Sequence, residues 1–375
     1  MRFLRWCYTT FICCINKKAM NLQETYRRWL SLQPLTKEQE YLMNKKFTIE
    51  YNYNSNHIEG NTLTYGQTEL LLLFGITSKE GHVKDFADMK ASQVGVEMVK
   101  DAIQDRSMPM TQNFIRQLHK IILREDYTEY RSMPGGENIS FTIHAGQYKT
   151  RPNSVITRYG DRFEYASPEE TPALMTDLVD WYNRAEREGK LSPVELAALF
   201  HYRYIRIHPF EDGNGRIARL MSNYILARHG WPMVVVRSRC KTEYLEALHK
   251  SDMAVGPEPA RGANASILQI KHFLRYFTQM VKEEIECNVA IVERYGEDVW
   301  WFDGQELKFR SPNSGKMLYL MRDNPSITYK QMTEALGINS SAMQKLLEGL
   351  KKRGLVERYG DSWRVYAITT KETGF

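Results

Sequence analysis

The feature that most constrains this chain is a short loop, residues 208–219, with the sequence HPFEDGNGRIAR. It places an imidazole, carboxylates, two glycines that flank one residue and two guanidinium groups within twelve positions. Pro209 disfavours helical geometry for the residue before it, so a preceding helix has to end at or before His208. The loop is therefore predicted to connect two helices and to gather its charged side chains where they meet.

Both flanks of the loop carry helix signals. Upstream, Ser192 and Glu195 have the spacing of a capping box, and Pro193 falls at the first helical position. Downstream, Gly230 gives a stop signal after a run of apolar residues at helical spacing. That run consists of Ile217, Leu220, Met221, Tyr224 and Ile225.

The start of the second helix is predicted to bind an anion. Gly213, Asn214 and Gly215 allow a bend whose backbone N–H groups converge, and the helix N-terminus adds partial positive charge. Arg216 and Arg219 share one stripe at the helix start, a position that electrostatically prefers acids. Asp-Gly and Asn-Gly are also common turn dipeptides, but the arginine pair favours a strong anion opposite it.

The run resembles, without a mismatch, the signature of the Fic family, His-x-Phe-x-[Asp/Glu]-Gly-Asn-Gly-Arg-x-x-Arg. The resemblance implies a mainly α fold, a helical core with a small β-hairpin flap. It also implies a reaction in which AMP passes from ATP to a hydroxyl of a protein substrate. Phe210 is implied to anchor the loop in the core.

The resemblance implies a role for the other signature residues as well. His208 is implied as the general base, and an imidazole titrates near neutrality. Asp212 is implied to bind Mg²⁺, which prefers few carboxylates together with phosphate oxygens. Guanidinium groups match phosphate oxygens and neutralise their charge. The implied phosphate contacts are the α-phosphate at Gly213, Asn214 and Gly215, the β-phosphate at Arg216 and the γ-phosphate at Arg219.

A second motif lies far upstream, in residues 55–60, SNHIEG. Ser55 and Glu59 share a face of a helix that Gly60 would terminate. The motif resembles the inhibitory signature of one Fic class, [Ser/Thr]-x-x-x-Glu-[Gly/Asn], in which the glutamate pairs with the second signature arginine. The resemblance implies that Glu59 pairs with Arg219 and blocks the γ-phosphate site. The alternative is an ordinary helix end with an exposed acid.

Two further segments carry weaker signals. Residues 146–157 alternate and contain turn formers, which is typical of a short hairpin. They resemble the family's flap, which aligns a target peptide by strand addition, although Lys149 stands where the family often has arginine. Tyr244 is implied as an adenine contact, with a core tyrosine on an amphipathic helix as the equal alternative.

Composition and charge exclude several classes of protein. The chain has 375 residues, 42% hydrophobic and 26% charged, which is typical of a soluble globular protein of two or three domains. Its five cysteines form neither a disulfide framework nor a zinc pattern, which favours a reducing cytoplasm. The net charge of +6 lies at the two ends, and residues 21–312 net −2. The main domain is therefore not predicted to bind nucleic acid.

The first nineteen residues form a leader whose apolar run is about half a membrane span. We expect Met20 to be the true start and no membrane partner. The domain boundaries that we predict are 1–19 for the leader, 20–110 for a helical region with the inhibitory helix, 111–295 for the Fic catalytic core, 296–312 for a linker and 313–375 for a winged-helix domain.

The last of these regions carries three helix patterns and a hairpin that turns at residues 359–361. It resembles a winged helix-turn-helix, with Ser340–Lys352 as its recognition helix. DNA binding and protein contacts, including a homodimer, are left as alternatives.

These patterns together predict a protein adenylyltransferase that uses ATP and Mg²⁺ and is held off by Glu59. Two alternatives stay open. One is a Fic enzyme that uses another nucleotide or removes AMP. The other is a DNA-binding regulator whose Fic domain senses a nucleotide.

Overall fold

The computed structural model describes residues 21–77, 81–132, 138–156 and 162–371. Within them the chain is mainly helical, with short antiparallel strand pairs. The helices are α1 (Leu22–Ser31), α2 (Lys37–Ile58), α3 (Tyr65–Phe74), α4 (Val83–Ala102), α5 (Gln112–Leu123), α6 (Thr171–Glu188), α7 (Pro193–Ile207), α8 (Asn214–Arg228), α9 (Lys241–Val255), α10 (Pro259–Ala263), α11 (Lys271–Glu293), α12 (Pro312–Asp323), α13 (Tyr329–Leu336) and α14 (Ser340–Lys352). The strands are β1 (Tyr127–Ser132), β2 (Asn138–Ile143), β3 (Ser154–Ile156), β4 (Arg162–Glu164), β5 (Trp300–Phe302), β6 (Gln305–Glu306), β7 (Val356–Tyr359), β8 (Ser362–Val365) and β9 (Ile368–Thr369).

The helix ends around the signature loop confirm the sequence signals. Ser192 and Glu195 form the predicted capping box of α7. The helix ends at His208, whose φ of 51° is left-handed, and Pro209 follows. Gly213 has a φ of 76° and leads directly into α8, a conformation that glycine adopts without steric cost. The loop is thus held between two well-defined helix ends.

The core of the molecule is built around α7 and α8. These two helices pack along each other, and α6, α10 and α11 surround α7. Phe200, Tyr204, Ile217 and Ile225 are fully buried between them. Burial of each such side chain stabilises the fold by about 1.5–3 kcal/mol, which makes the two helices a rigid platform for the loop.

Two hairpins lie beside the loop, and their positions correct one prediction. β1 pairs with β2 so that Tyr127 lies opposite Ile143. β3 pairs with β4, with Ser154 opposite Glu164. The prediction of one hairpin over residues 146–157 is wrong, because residues 146–153 form no strand. Strand structure begins at Ser154 and its partner lies downstream; Thr157 lies outside the described residues.

The C-terminal region shows the three predicted helices, α12, α13 and α14, followed by the β7–β8 hairpin. They enclose a core of their own that includes Leu318, Leu347 and Trp363. The prediction of a linker over residues 296–312 is corrected, because this segment holds β5 and β6. Trp300 of β5 pairs with Thr369 of β9, so the segment belongs to a sheet with the end of the chain.

The predicted leader, residues 1–19, lies outside the described residues. Among the helices that the structure describes, none combines the length and apolar character that a membrane span requires.

Candidate active site

Two buried side chains, those of Phe210 and Asn214, hold the signature loop in place. Phe210 is fully buried and stacks on His119 of α5, with ring centroids 3.7 Å apart. Asn214 Oδ1 accepts from the Phe210 N–H at 3.0 Å, and its Nδ2 donates to the Phe210 carbonyl at 2.7 Å. The anchoring role implied for Phe210 is thus what the geometry shows. The Asn214 side chain thus ties the loop to itself, and the α-phosphate contact implied for Asn214 stays a prediction.

His119 was not singled out by the sequence, yet it braces the loop from α5. Its Nδ1 accepts from the Gly146 N–H at 2.9 Å, so its Nε2–H donates to the Asp212 carbonyl at 3.0 Å. Burial lowers the pKa of His119 to about 4, which keeps the ring neutral at physiological pH. A buried histidine at a helical core position gives no sign of this role in the sequence.

His208 sits half-buried at the mouth of the loop, where α7 ends. Its ring stacks on Tyr165, with centroids 4.0 Å apart and planes 11° apart. Its Nδ1 accepts from the amides of Asn153 at 2.8 Å and Asn214 at 3.0 Å. Burial and the nearby Lys149 cation lower the pKa of His208 to about 3. The imidazole is therefore neutral, as a general base has to be.

Asp212 and Arg216 line a polar cavity of about 290 Å³ next to the loop. Asp212 Oδ2 accepts from the Tyr127 hydroxyl at 3.0 Å and from Arg216 Nη2 at 3.1 Å. Burial raises the pKa of the Asp212 carboxyl, but Arg216 and the Gly213 N–H outweigh this effect and hold it below its usual value. The carboxylate is therefore ionised, and it lines the cavity. Lys84 and Asp88 of α4 line the same cavity.

Arg219 lies one turn further along α8 and is engaged by α2. Its Nη2 donates to Glu59 Oε1 at 2.7 Å and to the Ser55 carbonyl at 2.8 Å, and its Nε donates to Ser55 Oγ at 3.0 Å. The guanidinium is buried, whereas the Glu59 carboxylate is 40% exposed and lines the cavity. The pairing implied for Glu59 and Arg219 is thus present in the structure.

The C-terminal end of α2 positions the Glu59 carboxylate next to Arg219. Glu59 is the C-terminal cap of α2, and Gly60 follows with a φ of 97°. Lys241 Nζ donates to the Ile58 carbonyl at 2.6 Å, which satisfies one of the last carbonyls of the helix. A Cβ on Gly215 would collide with Glu59 Oε1, so this glycine allows the close approach of the carboxylate to α8.

Tyr244 and Lys149, the two residues with the weaker sequence signals, both lie inside the protein. Tyr244 is buried, and its hydroxyl bonds to His201 Nε2 at 2.8 Å inside an aromatic cluster, so the core alternative replaces the adenine contact. Lys149 is also buried: its N–H donates to the Pro209 carbonyl, and its Nζ to Asn153 Oδ1 at 2.7 Å and the Ile207 carbonyl at 3.2 Å. It therefore holds the signature loop.

Residues 109–226 match the profile of the Fic/DOC family. A Fic domain containing signaling protein from Bacteroides thetaiotaomicron, whose structure is solved, is 51% identical to this chain. The match covers 73% of this chain and 97% of that protein, with a TM-score of 0.68. The chain belongs to the Fic family. A Fic family protein from Desulfovibrio desulfuricans is only 18% identical but has the same fold over 92% of this chain, with a TM-score of 0.54.

Curated Fic relatives bear the name protein adenylyltransferase. The Caenorhabditis elegans protein adenylyltransferase fic-1 is 30% identical over 66% of this chain. The Nematostella vectensis protein adenylyltransferase Fic is 26% identical over 67% of it. The matches span 42% and 51% of those two relatives, so this Fic chain corresponds to about half of their length.

Proposed function

We propose that this chain is a protein adenylyltransferase, which transfers AMP from ATP to a Ser, Thr or Tyr hydroxyl of a target protein and releases pyrophosphate. The observation that carries the proposal is the cavity lined by Asp212 and Arg216, with His208 at the start of the same loop and Arg219 on the same helix. The names of the curated relatives support the same reaction.

Each group of the site has a separate role in the proposed reaction. Neutral His208 takes the proton of the acceptor hydroxyl as its oxygen attacks the α-phosphorus. The first N–H groups of α8 have no intrahelical partner and point toward the loop, so they receive the α-phosphate oxygens. Arg216 and Arg219 neutralise the pyrophosphate as it leaves. Transfer of this kind needs positioning and charge stabilisation and no covalent intermediate.

The residues present fit a magnesium ion. Asp212 is an ionised carboxylate that faces the cavity. In the part of the chain that the structure describes, no cluster of three His, Cys, Asp or Glu side chains could hold a metal alone. Mg²⁺ ordinarily takes one or two carboxylates and completes its shell with water and phosphate oxygens. When bound, the ion would neutralise phosphate charge beside Asp212.

We further propose that the C-terminal end of α2 inhibits the enzyme. Arg219 cannot bind a terminal phosphate while its Nη2 is paired with Glu59 and its Nε with Ser55. Because Glu59 is 40% exposed, its removal from Arg219 leaves no buried unpaired carboxylate. Inhibition of this kind is therefore reversible by displacement of one side chain.

The test is a pair of variants incubated with ATP labelled on the α-phosphate. Glu59→Gly is expected to raise self-modification about tenfold or more, since about 1.4 kcal/mol of lost ion pairing corresponds to a factor of ten. The double variant Glu59→Gly with His208→Ala is expected to lose it. A double variant that stays as active as the single one would remove His208 from the role of base.

The Glu59→Gly variant also distinguishes transfer of AMP from transfer of another nucleotide and from removal of AMP. The Glu59→Gly protein is offered each nucleoside triphosphate in turn, and the mass added to the product is measured. An added AMP supports the proposal, and another nucleotide mass would replace it. Protein that has been modified in this way is then incubated with the unsubstituted chain, and loss of the added mass would identify removal of AMP as the main reaction.

The C-terminal region supports a second candidate function. We propose that α12, α13, α14 and the β7–β8 hairpin form a winged helix-turn-helix that binds DNA. One face of α14 is buried, whereas Gln344, Lys345 and Lys352 are exposed on the other, the arrangement of a recognition helix. A gel shift with the full chain tests this proposal, because Lys345→Glu combined with Lys352→Glu should abolish binding. Binding that survives both charge reversals would contradict it.

A further inference from the structure

Asn153, in the segment before β3, contacts His208, and the proposed function assigns Asn153 no role. Lys149 Nζ donates to Asn153 Oδ1 at 2.7 Å, and Asn153 Nδ2 donates to the Phe210 carbonyl at 2.9 Å. A lysine donates and a carbonyl accepts, so these two partners determine the orientation of the Asn153 amide. Its N–H then points at His208 Nδ1, 2.8 Å away. The proton of the neutral imidazole therefore lies on Nε2.

Two donors converge on a ring nitrogen that has one lone pair. Asn214 is the second donor, at 3.0 Å, and it is 2% exposed and bonded through both amide atoms to Phe210. Asn153 is half-buried and stands at the surface end of the network. Both amides donate to the Phe210 carbonyl, but Asn214 also accepts from the Phe210 N–H, so the loop stays held when Asn153 is displaced.

Asn153 also directly precedes a strand with an open edge. β3 begins at Ser154, and in the described part of the chain its partner is β4 on one side only. An unpaired edge accepts an extended peptide as an additional strand. A target segment that pairs there would lie beside the residue that covers His208 Nδ1.

We infer, on the basis of the proposed function, that Asn153 is a positioning residue that covers the Nδ1 lone pair of His208 until an acceptor hydroxyl takes its place. The hydroxyl then donates to Nδ1. Its oxygen forms the bond to the α-phosphorus, the bond from that phosphorus to pyrophosphate breaks, and the hydroxyl proton remains on Nδ1. The imidazolium returns this proton to water after the product leaves.

The groups that face His208 support this assignment. Lys149 from the segment before β3 disfavours an imidazolium, Asp212 from the signature loop favours one, and Tyr165 covers one face of the ring. Two N–H donors at Nδ1 add a further barrier to protonation there, because a protonated Nδ1 has no lone pair to accept them. Withdrawal of Asn153 removes one of these donors at the position where the proton has to arrive.

The first measurement needs no nucleotide. In the full chain with ¹⁵N-labelled histidine, the His208 signals are assigned by their loss in His208→Ala, and their shifts report which ring nitrogen carries the proton. The unsubstituted chain is expected to show the proton on Nε2 across neutral pH. Asn153→Asp should move it to Nδ1 and raise the pKa of His208, because a carboxylate at this position accepts the Nδ1 proton.

The second measurement is activity in the Glu59→Gly background without added target. The reaction measured is hydrolysis of ATP to AMP and pyrophosphate, in which water replaces the acceptor hydroxyl. Asn153→Ala should raise the rate of this AMP release roughly threefold to tenfold, because it removes one hydrogen bond to the base. Asn153→Asp should lower it by a similar factor, because Nδ1 is then protonated.

Asn183→Ala is the matched control. Asn183 is also a half-buried amide, and it bonds to the N–H and carbonyl of Met110, away from His208. It should change neither the His208 shifts nor the release of AMP. The inference is overturned if Asn153→Asp leaves the proton on Nε2, or if Asn153→Ala and Asn183→Ala change AMP release equally. If the shifts move as expected but no variant releases AMP, the positioning role stands and the proposed reaction fails.

Discussion

Helix α2 carries two sets of ion pairs that differ in burial. Near its end, half-exposed Glu59 meets the buried guanidinium of Arg219. About two to four turns earlier, Lys46 and Glu50 are each 2% exposed and join Arg237 and Glu284 in a closed network. A buried charge that loses its partner destabilises the fold strongly, whereas a half-exposed one is rehydrated. The same helix thus carries a buried structural brace, Lys46 and Glu50 with their partners, and the exposed Glu59, which we propose as a removable plug on Arg219.

The brace also involves the C-terminal region. Asp303, in the turn between β5 and β6, pairs with Arg237 Nη1 at 2.9 Å and with Arg239, and it accepts from Asn54 Nδ2 at 2.8 Å. The Gly304 N–H donates to Glu50 Oε1 at 2.8 Å. The residue next to Ser55 is therefore bonded to the C-terminal sheet, so the position of the plug depends on both parts of the molecule.

The largest effect is expected from a break in the brace. Glu284→Ala leaves Lys46 and Arg237 short of a buried partner and should lower the free energy of unfolding by about 3–5 kcal/mol. Urea unfolding measures this change. Glu286→Ala on the same helix removes a partly exposed pair with Lys282 and should cost less than about 1 kcal/mol. Equal losses in the two variants would show that the brace is not the stabilising element.

A smaller effect is expected at the turn. Asp303→Ala removes the contacts to Asn54 and Arg239 but leaves Arg237 with Glu50 and Glu284, so we expect a loss of about 1–3 kcal/mol. If the brace positions the plug, the variant should also raise AMP transfer, though less than Glu59→Gly does. Destabilisation with unchanged transfer would show that the two sets of ion pairs act independently.

Lys149 extends the comparison to a buried lysine whose described hydrogen bonds go to neutral oxygens. Burial lowers its pKa to about 7, below the value in the unfolded chain. Between the two values the unfolded state binds the extra proton, so stability should rise with pH above about 7, by at most about 1.4 kcal/mol per unit. Unfolding of the chain and of Lys149→Met is compared from pH 7 to pH 9. Equal slopes would mean that Lys149 is not neutral when folded.

The smallest effect on stability is expected at the plug itself. Glu59→Gln removes the charge but keeps an oxygen that can accept from Arg219, and the buried guanidinium stays bonded to Ser55, so the free energy of unfolding should fall by only about 1 kcal/mol. Thermal unfolding measures this change, and activity with ATP should rise in the same protein. A loss as large as that of Glu284→Ala would make Glu59 part of the brace.

Local signals predicted the framework of the site well. The capping box at Ser192, the proline after His208 and the left-handed Gly213 act over a few residues, so they can be predicted from sequence. The pairing of Glu59 with Arg219 spans 160 positions and came from the resemblance, not from any local pattern. Short-range geometry was thus predictable from physics, and the long-range pair from a family signature.

The predictions that were wrong all concern which partner a residue finds. Tyr244 bonds to His201, and β3 pairs with a strand downstream of it. Segment 296–312 was predicted as a linker, but its strand β5 pairs with β6 in the same segment and with β9 at residues 368–369. Residue type and spacing predict which kinds of group a side chain can bond to. They do not predict which of several possible partners the folded chain places within bonding distance.

The amino-acid order alone determined where the helices around the signature loop begin and end, and which charges the loop carries. Backbone sterics and capping operate within one or two turns, so they need no distant partner. Only the tertiary structure decided that Asn153 and Tyr165 hold the imidazole, that His119 supports the loop and that the C-terminal turn braces α2. Those contacts join segments far apart in the chain, and packing of the whole core selects them.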